Sequence, residues 1–115
     1  MNETTRRTRL MFLRFSDVTD SIRLETCESG MMEVRCSDDY RIWIQSMFFG
    51  RSTNVTCPHE SANTTECEAT GALDIVRHYC DGRNECYVHA ITELFGDACE
   101  GVSKHASLEF VCHCE

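Results

Sequence analysis

Nine cysteines in a chain of 115 residues constrain this fold more than any other feature of the sequence. Such a density is typical of small domains held by disulfides in an oxidising compartment. A chain of this length buries only roughly two-thirds of the surface that its unfolded form exposes, so cross-links supplement a thin core. Because nine is odd, one cysteine must have a fate other than an intramolecular bridge. The cysteines are Cys27, Cys36, Cys57, Cys67, Cys80, Cys86, Cys99, Cys112 and Cys114.

The charge balance argues against a nucleic-acid partner. The formal net charge is −8, and binding to a polyanion through counterion release requires clustered Lys and Arg. The arginines that do cluster, Arg6, Arg7, Arg9 and Arg14, all precede the first cysteine. We interpret residues 1–24 as a flexible tail and residues 25–115 as the folded domain.

Sequons and cysteines together indicate an extracellular location. No apolar run approaches the roughly 18 residues of a membrane-spanning helix, so we expect no insertion into a bilayer. No signal peptide is recognisable either, because Arg14 interrupts the apolar run 10–13. Of three N-glycosylation sequons, at Asn2, Asn54 and Asn63, the latter two lie in the cysteine-rich part. We therefore predict glycosylation at Asn54 and Asn63, in a secreted protein or a receptor ectodomain.

Short alternating segments predict a strand-rich domain. Residues 31–35 and 41–45 alternate apolar with polar side chains, as half-buried strands do. We expect further strands near 21–24, 85–90 and 108–112, with Gly50 marking a bend or a close backbone approach. Residues 52–68 are polar and predict a surface loop pinned by Cys57 and Cys67.

One helix is predicted between Leu73 and Cys80. Apolar residues recur there at three- and four-residue steps, and Asp81-Gly82 supplies a stop signal. The expected fold class is α+β and β-rich: a compact, disulfide-stapled sandwich of short antiparallel strands with one or two short helices.

Several motifs follow one another in a recognisable order. They are Cys27-Glu28, Phe49-Gly50-Arg51, the segment 80–86 (CDGRNEC), the segment 95–99 (FGDAC), and Gly101-Val102-Ser103-Lys104 before a strand that ends at Cys112. In this order they resemble the SUEL-type lectin domain, which binds rhamnose or galactose. That domain was first described in egg lectins and recurs in latrophilin-like and axon-guidance receptors.

The resemblance implies a particular set of disulfides, whereas the cysteine positions alone leave many pairings open. The implied bridges are Cys27–Cys57, Cys36–Cys112, Cys67–Cys99 and Cys80–Cys86. Cys114 is left over, two residues beyond the last of these. It links two copies of the chain, pairs with a cysteine elsewhere in a parent protein, or stays a free thiol.

The resemblance also implies a sugar-binding site. A monosaccharide presents hydroxyl groups that both donate and accept hydrogen bonds, together with an apolar ring face. At the matching positions Glu28 and Asp97 would accept from hydroxyls, and Lys104 would donate to one. On this basis the function is that of a carbohydrate-binding module for rhamnose- or galactose-type glycans, with no cofactor.

Two further positions complete the implied site. Gly101 would let the backbone approach the sugar, and Phe49 would pack against it where the family usually has tyrosine. Phe49 lacks the phenolic hydroxyl, a hydrogen bond worth roughly 0.5–1.5 kcal/mol. Ala98 replaces the usual proline and His105-Ala106 replaces Tyr-Leu, which leaves the surroundings of Asp97 and Lys104 less rigid.

Three alternatives compete with sugar binding. The first is a lectin fold that recognises an extracellular protein, with weak or lost sugar binding. The second is a glycosidase that uses Glu28 and Asp97 as paired carboxylates, but a nearby Lys104 favours the ionised form of both, and no nucleophile signature is present. We predict no enzyme activity.

The third alternative is a metal site made from Cys112, His113 and Cys114 with His105 or His89. Its spacing is unlike the paired Cys-x₂-Cys or His-x₃-His of zinc sites, and the resemblance assigns Cys112 to a disulfide. We therefore predict no metal.

Overall fold

The computed structural model describes residues 19–52, 57, 66–97 and 99–114. The predicted glycosylation sites Asn54 and Asn63 lie outside these residues, as do Ala98 and most of the predicted loop. Within the described ranges no helix is long and apolar enough to cross a membrane. The strands are β1 (Ile22–Cys27), β2 (Met31–Arg35), β3 (Tyr40–Arg51), β4 (Cys67–Glu68), β5 (Glu85–His89) and β6 (His105–Cys114); the helices are α1 (Ala72–Cys80) and α2 (Thr92–Phe95).

Two antiparallel sheets organise the described chain. Four strands form one sheet in the order β1-β6-β3-β4, and β2 pairs with β5 in the other. Long-range pairing dominates, since β6 lies between β1 and β3 although it is last in the chain. The predicted β-rich class with antiparallel strands and short helices is confirmed. The sheet begins at Ile22 and β6 extends beyond the predicted 108–112 at both ends.

The apolar core lies between the inner face of the larger sheet, helix α1 and the β2–β5 pair. Alternation places Val34 of β2 and Val88 of β5 inward, and helical spacing does the same for Val76 and Cys80 of α1. Each fully buried Val, Leu, Ile or Phe side chain contributes roughly 1.5–3 kcal/mol. The largest fully buried side chains are Phe49, Ile42, Ile44, Leu108, Val34, Val76, Val88 and Cys80.

Helix α1 ends where the sequence predicts, and its end closes the free edge of β3. The Gly82 N–H donates to the Ile42 carbonyl at 2.9 Å, and the Ile42 N–H donates to the Arg83 carbonyl at 2.8 Å. The Ile44 N–H donates to Asp81 Oδ1 at 2.8 Å, and Arg77 Nε donates to the Ile44 carbonyl at 2.9 Å. The α1–β5 turn therefore takes the place of a neighbouring strand.

The structure forms four disulfides, and they are the pairs that the family resemblance implies. Cys36–Cys112 joins the end of β2 to β6 across 76 residues, and Cys80–Cys86 closes a turn of six. In the chain-entropy model such bridges are worth about 4 and about 2 kcal/mol respectively. Cys27–Cys57 and Cys67–Cys99 pin chain segments at one end of the larger sheet. Cys114 is exposed and free.

A bulge in β3 decides which side chains face the core. The register with β6 shifts between Ile44 and Ser46, so the inward positions change from even to odd numbers. Ile42 and Ile44 precede the bulge and are buried, and Phe49 follows it and is also buried. Next to Phe49, a Cβ on Gly50 would lie 2.1 Å from the Cys67 carbonyl oxygen. The predicted close backbone approach at Gly50 is thereby confirmed.

Candidate functional site

Glu28 and Lys104 lie side by side at one end of the larger sheet. Glu28 follows β1, Lys104 precedes β6, and these strands are paired so that Cys27 faces His105. The Glu28 N–H donates to the Lys104 carbonyl at 2.9 Å, and Glu28 Oε1 accepts the Lys104 N–H at 2.8 Å. The carboxylate of Glu28 is thus fixed by the backbone of Lys104, and its Oε2 has no hydrogen-bond partner among the residues that the structure describes.

Asp97 joins this pair through the ammonium of Lys104. Lys104 Nζ lies 2.7 Å from Asp97 Oδ1 and donates to the Val102 carbonyl at 2.8 Å. Only 3% of the Lys104 side chain is exposed, against 38% for Asp97. An ammonium carries three N–H groups, and the described residues provide acceptors for two of them. The structure therefore brings together the predicted Glu28, Asp97 and Lys104.

The turn that carries Glu28 has an unusual backbone. The Gly30 N–H donates to the Cys27 carbonyl at 2.9 Å, which closes a tight turn around Glu28 and Ser29. Ser29 has a φ of 78°, and within the described ranges no other non-glycine residue has a positive φ. A non-glycine residue in this region carries strain that the surrounding structure must hold. Here the Ser29 N–H donates to the Ala90 carbonyl at 2.8 Å, which ties the turn to the end of β5.

Phe49 lies in the core, next to the segment that leads to Asp97. Its side chain is completely buried and stacks on Phe95, with ring centroids 4.9 Å apart and planes inclined by 29°. Phe95 is the last residue of α2 and is followed by Gly96 and Asp97. In this conformation Phe49 supports the segment that presents Asp97 and offers no ring face to a ligand, which differs from the sequence-based expectation. The bulge in β3 is the reason, since it turns Phe49 inward.

Gly101 lies in the exposed turn between Cys99 and Lys104. Its φ is 79°, and the Val102 N–H donates to the Cys99 carbonyl at 3.2 Å. A Cβ at Gly101 would meet no atom of the described residues within 4 Å, and the positive φ itself favours glycine. A close approach of ligand to this backbone stays a prediction.

Sequence reasoning missed three groups around the site. Nothing in the sequence indicated the strained turn at Ser29 or the Val102 carbonyl that binds the ammonium. The third is Arg51, whose signal was its place in the Phe49-Gly50-Arg51 motif. Arg51 is only 8% exposed, and its guanidinium lies 3.5 Å from the carbonyl oxygens of Cys57 and Ser103.

His105 adjoins the site on the outer face of the sheet. Its ring lies against Phe48, with centroids 4.9 Å apart, and its buried Nε2 finds no hydrogen-bond partner in the described part of the chain. Burial lowers the pKa of His105, and the nearby positive charge of Arg51 lowers it further. The neutral imidazole is therefore favoured at this edge of the site.

The metal alternative loses a ligand in this fold. Cys112 is bonded to Cys36, so its sulfur is not a thiolate ligand. Among the described residues no cluster of three or more His, Cys, Asp or Glu is placed to hold a metal ion. Counting only the described residues, one carboxylate oxygen on Glu28, one on Asp97 and one N–H on Lys104 have no partner, a set that suits hydroxyl groups.

Comparison with known proteins gives a consistent family. Residues 34–112 match the family described as the D-galactoside/L-rhamnose binding SUEL lectin domain. An L-rhamnose-binding lectin of Echinometra lucunter is 32% identical over 88 residues, covering 75% of this chain and 85% of the lectin. A D-galactoside-specific lectin of Heliocidaris crassispina is 27% identical, with the same coverage of both chains. An L-rhamnose-binding lectin of Oncorhynchus keta is 29% identical over 85% of this chain and 36% of its own length.

Proposed function

Because the chain belongs to the D-galactoside/L-rhamnose binding SUEL lectin domain family, we propose that it binds glycans bearing rhamnose- or galactose-like sugars. The proposed site consists of Glu28, Asp97, Gly101 and Lys104, supported from within by Phe49. One observation carries the proposal: Lys104 joins both carboxylates, Glu28 through its backbone N–H and Asp97 through its ammonium. The three side chains come from separate segments of the chain, and this double contact places them at one point.

Each group has a defined role toward a sugar. Glu28 Oε2 and Asp97 Oδ2 have no partner among the described residues and would accept hydrogen bonds from ring hydroxyls. The third N–H of Lys104 would donate to a hydroxyl oxygen. Charge-assisted hydrogen bonds of this kind are worth about 1.5–3 kcal/mol each. Because Glu28 and Lys104 are already fixed by their mutual hydrogen bonds, little ordering is needed on binding.

Phe49 has a supporting role in this proposal. Its contact with Phe95 holds the segment that leads to Asp97, so its loss would alter the position of a carboxylate. An apolar surface against the sugar ring must then come from elsewhere, since the Phe49 ring is fully buried.

The test of the proposal is a matched pair of substitutions read by calorimetric titration with L-rhamnose and D-galactose. Glu28→Gln keeps an oxygen that can accept the Lys104 N–H but removes the charge offered to the sugar. We expect the Kd to rise by about 10- to 100-fold, corresponding to the loss of about 1.4–2.8 kcal/mol. Glu33→Gln is the control, because Glu33 lies on the exposed face of β2.

Retention on rhamnose- and galactose-substituted resin gives a second measurement. The unsubstituted protein should be retained and eluted by free sugar, whereas Glu28→Ala and Lys104→Ala should pass through. An unsubstituted protein that no resin retains and no sugar titrates would refute the proposal. Recognition of an extracellular protein would then be the function to examine, by a binding screen against such proteins.

The valency proposal concerns Cys114. Monosaccharide sites are individually weak, and linking two of them raises the effective affinity without new contacts. The exposed Cys114 thiol at the end of β6 is suited to a disulfide between two copies, and we include that dimer in the proposal. Non-reducing electrophoresis should show a dimer band that Cys114→Ser removes. A monomer under oxidising conditions would contradict it.

We also propose an extracellular location and the absence of enzyme activity. Four disulfides support the first, since such bridges form and persist in oxidising compartments. Expression in a secretory host followed by enzymatic deglycosylation should reveal glycans at Asn54 and Asn63 by a mass shift that Asn→Gln substitutions remove. Incubation with nitrophenyl galactoside and rhamnoside should release no nitrophenol.

A further inference from the structure

Arg51 is a buried cation without a counterion. It is the last residue of β3, only 8% exposed, and it forms no ion pair with a carboxylate in the described part of the chain. Its Nε is buried and has no acceptor among the described residues. A buried charge with so few partners is costly. Its presence therefore calls for an explanation other than the stability of the core.

The contacts of the guanidinium point to the sugar site. Arg51 Nη1 lies 3.5 Å from the carbonyl oxygens of both Cys57 and Ser103, and Nη2 lies 3.5 Å from that of Cys57. Ser103 directly precedes Lys104. Cys57 is bonded to Cys27, which directly precedes Glu28. The planar guanidinium therefore contacts two chain segments. One contains Ser103 and leads directly into Lys104, and the other is joined through the Cys27–Cys57 disulfide to the residue before Glu28.

The backbone of Arg51 is itself fixed to the third member of the site. Arg51 faces Cys67 in the pairing of β3 with β4, and Cys67 is bonded to Cys99, two residues after Asp97. The segments that carry Glu28, Asp97 and Lys104 therefore meet at this one arginine. Direct contact with a sugar is not part of this arrangement, because Arg51 is buried behind Ser103.

We propose that Arg51 is a positioning residue for sugar binding: it holds the Glu28 and Lys104 segments in the register that allows their two mutual hydrogen bonds. The inference rests on the proposed function of the same site. Its chemistry requires the fork of a guanidinium, since a lysine ammonium is a point charge that cannot present two parallel donors. The bulge in β3 is what directs Arg51 inward to this place.

Replacing Arg51 by methionine distinguishes a role in positioning the site from a role in stabilising the fold. Arg51→Met retains length and apolar contact and removes the buried charge, a change that is often neutral or stabilising. We expect the Kd for L-rhamnose or D-galactose to rise at least 10-fold while the thermal midpoint falls by no more than a few degrees. Arg51→Lys should recover part of the affinity, with a Kd between those of the unsubstituted and methionine forms.

The control is Arg23→Met, at an exposed arginine on β1 of the same sheet. It should leave both the Kd and the thermal midpoint unchanged. If Arg51 has only a structural role, the Kd measured well below the thermal midpoint will stay unchanged in Arg51→Met, and the inference is overturned. A large drop in the midpoint together with an unchanged Kd in Arg51→Lys would overturn it as well.

A measurement on the sugar-free protein tests the role of Arg51 separately from the proposed sugar binding. Amide hydrogen exchange at Glu28 and Lys104 reports their mutual hydrogen bonds, whereas Met32 and Val88, which face each other in β2–β5, serve as an internal reference. In Arg51→Met we expect at least 10-fold faster exchange at the first two and no change at the reference pair. Unchanged exchange would refute positioning, and failure of the unsubstituted protein to bind sugar would refute the function alone.

Discussion

Two charged clusters on this molecule differ in their surroundings. On the β2–β5 pair, Arg35 forms ion pairs with Glu33 and Glu85, and each of the three side chains is 45–56% exposed. At the end of the larger sheet, Lys104 pairs with Asp97 while its own side chain is only 3% exposed. The first cluster, which we call the Arg35 ladder, is exposed to solvent. Its ion pair with Glu33 lies within β2, and its ion pair with Glu85 joins β2 to β5. The second contains an ammonium withdrawn from water.

The difference in burial supports the proposed role of Lys104 and Asp97 in sugar binding. Exposed ion pairs contribute about 0–1 kcal/mol, because water and salt screen them and ordering two long side chains costs entropy. Withdrawing an ammonium from water costs several kcal/mol, which a single partner rarely returns in full. The Lys104–Asp97 pair is therefore a poor means of stabilising a domain, and its retention fits a site that needs pre-positioned donors and acceptors.

The largest expected effect comes from Lys104→Ala. The substitution leaves Asp97 without its partner and opens space where the lysine stem packed. We expect a loss of about 2–3 kcal/mol in the free energy of unfolding, less than for a fully buried pair because Asp97 is partly exposed. Urea unfolding measures it. A loss below about 1 kcal/mol would place this pair in the same class as the Arg35 ladder and remove the contrast.

Ser29→Gly tests whether strain is stored beside the buried cluster. Glycine adopts a φ of 78° without strain but loses more conformational entropy on folding than serine does. The relief of backbone strain and the added entropy cost therefore partly cancel. We expect a net stabilisation of less than about 1 kcal/mol, visible as a small rise in the thermal midpoint. A clear destabilisation would show that the serine side chain itself contributes to the turn around Glu28.

A smaller effect depends on pH. Burial, then the charge of Arg51, lowers the pKa of His105, while Glu25 opposes this shift and Arg23 adds to it. The unfolded chain therefore binds the proton more tightly, so the contribution of neutral His105 is complete above its unfolded pKa, near 6.5, and is lost as pH falls below that value. Thermal midpoints between pH 8 and 5 should decline less steeply in His105→Gln. An identical decline in both proteins would contradict this assignment.

The smallest expected effect is that of Arg35→Ala in the exposed ladder. We expect little or no measurable change in the free energy of unfolding and no change in sugar affinity, because water screens both of these exposed ion pairs. Raising the salt concentration should reduce any remaining difference. A loss comparable to that of Lys104→Ala would mean that exposure does not separate the two clusters, and the contrast between them would have to be abandoned.

Local patterns predicted those parts of the fold that depend on local chemistry. The alternation in residues 31–35 and the stop signal at Asp81-Gly82 correspond to β2 and to the end of α1. The sequence allowed for a second short helix but did not locate α2, because four residues are too few to show a helical period. Likewise, the strand order β1-β6-β3-β4 follows from pairing across the whole chain, which no local pattern records.

The site illustrates the same limit. The motifs gave Glu28, Asp97 and Lys104, which the fold brings together, but they did not give the burial of Phe49 and Arg51. A single extra residue in β3 reverses which side chains face inward, and alternation in the sequence does not mark where the extra residue lies. The supporting roles of Phe49 and Arg51 could therefore be recognised only from the register of β3 against β6.

The closure of the β3 edge by the α1–β5 turn has a consequence for the solubility of multivalent forms. An unpaired strand edge is a template for strands of other chains and a common start of aggregation. At Ile42 and Ile44 these edge groups are already bound by Gly82, Arg83, Asp81 and Arg77. If many copies crowd on a glycan-coated surface, no open strand edge is available at this position for a strand of another copy to pair with. Asp81→Ala, which frees the Ile44 N–H, is expected to shorten the time before turbidity appears in concentrated samples.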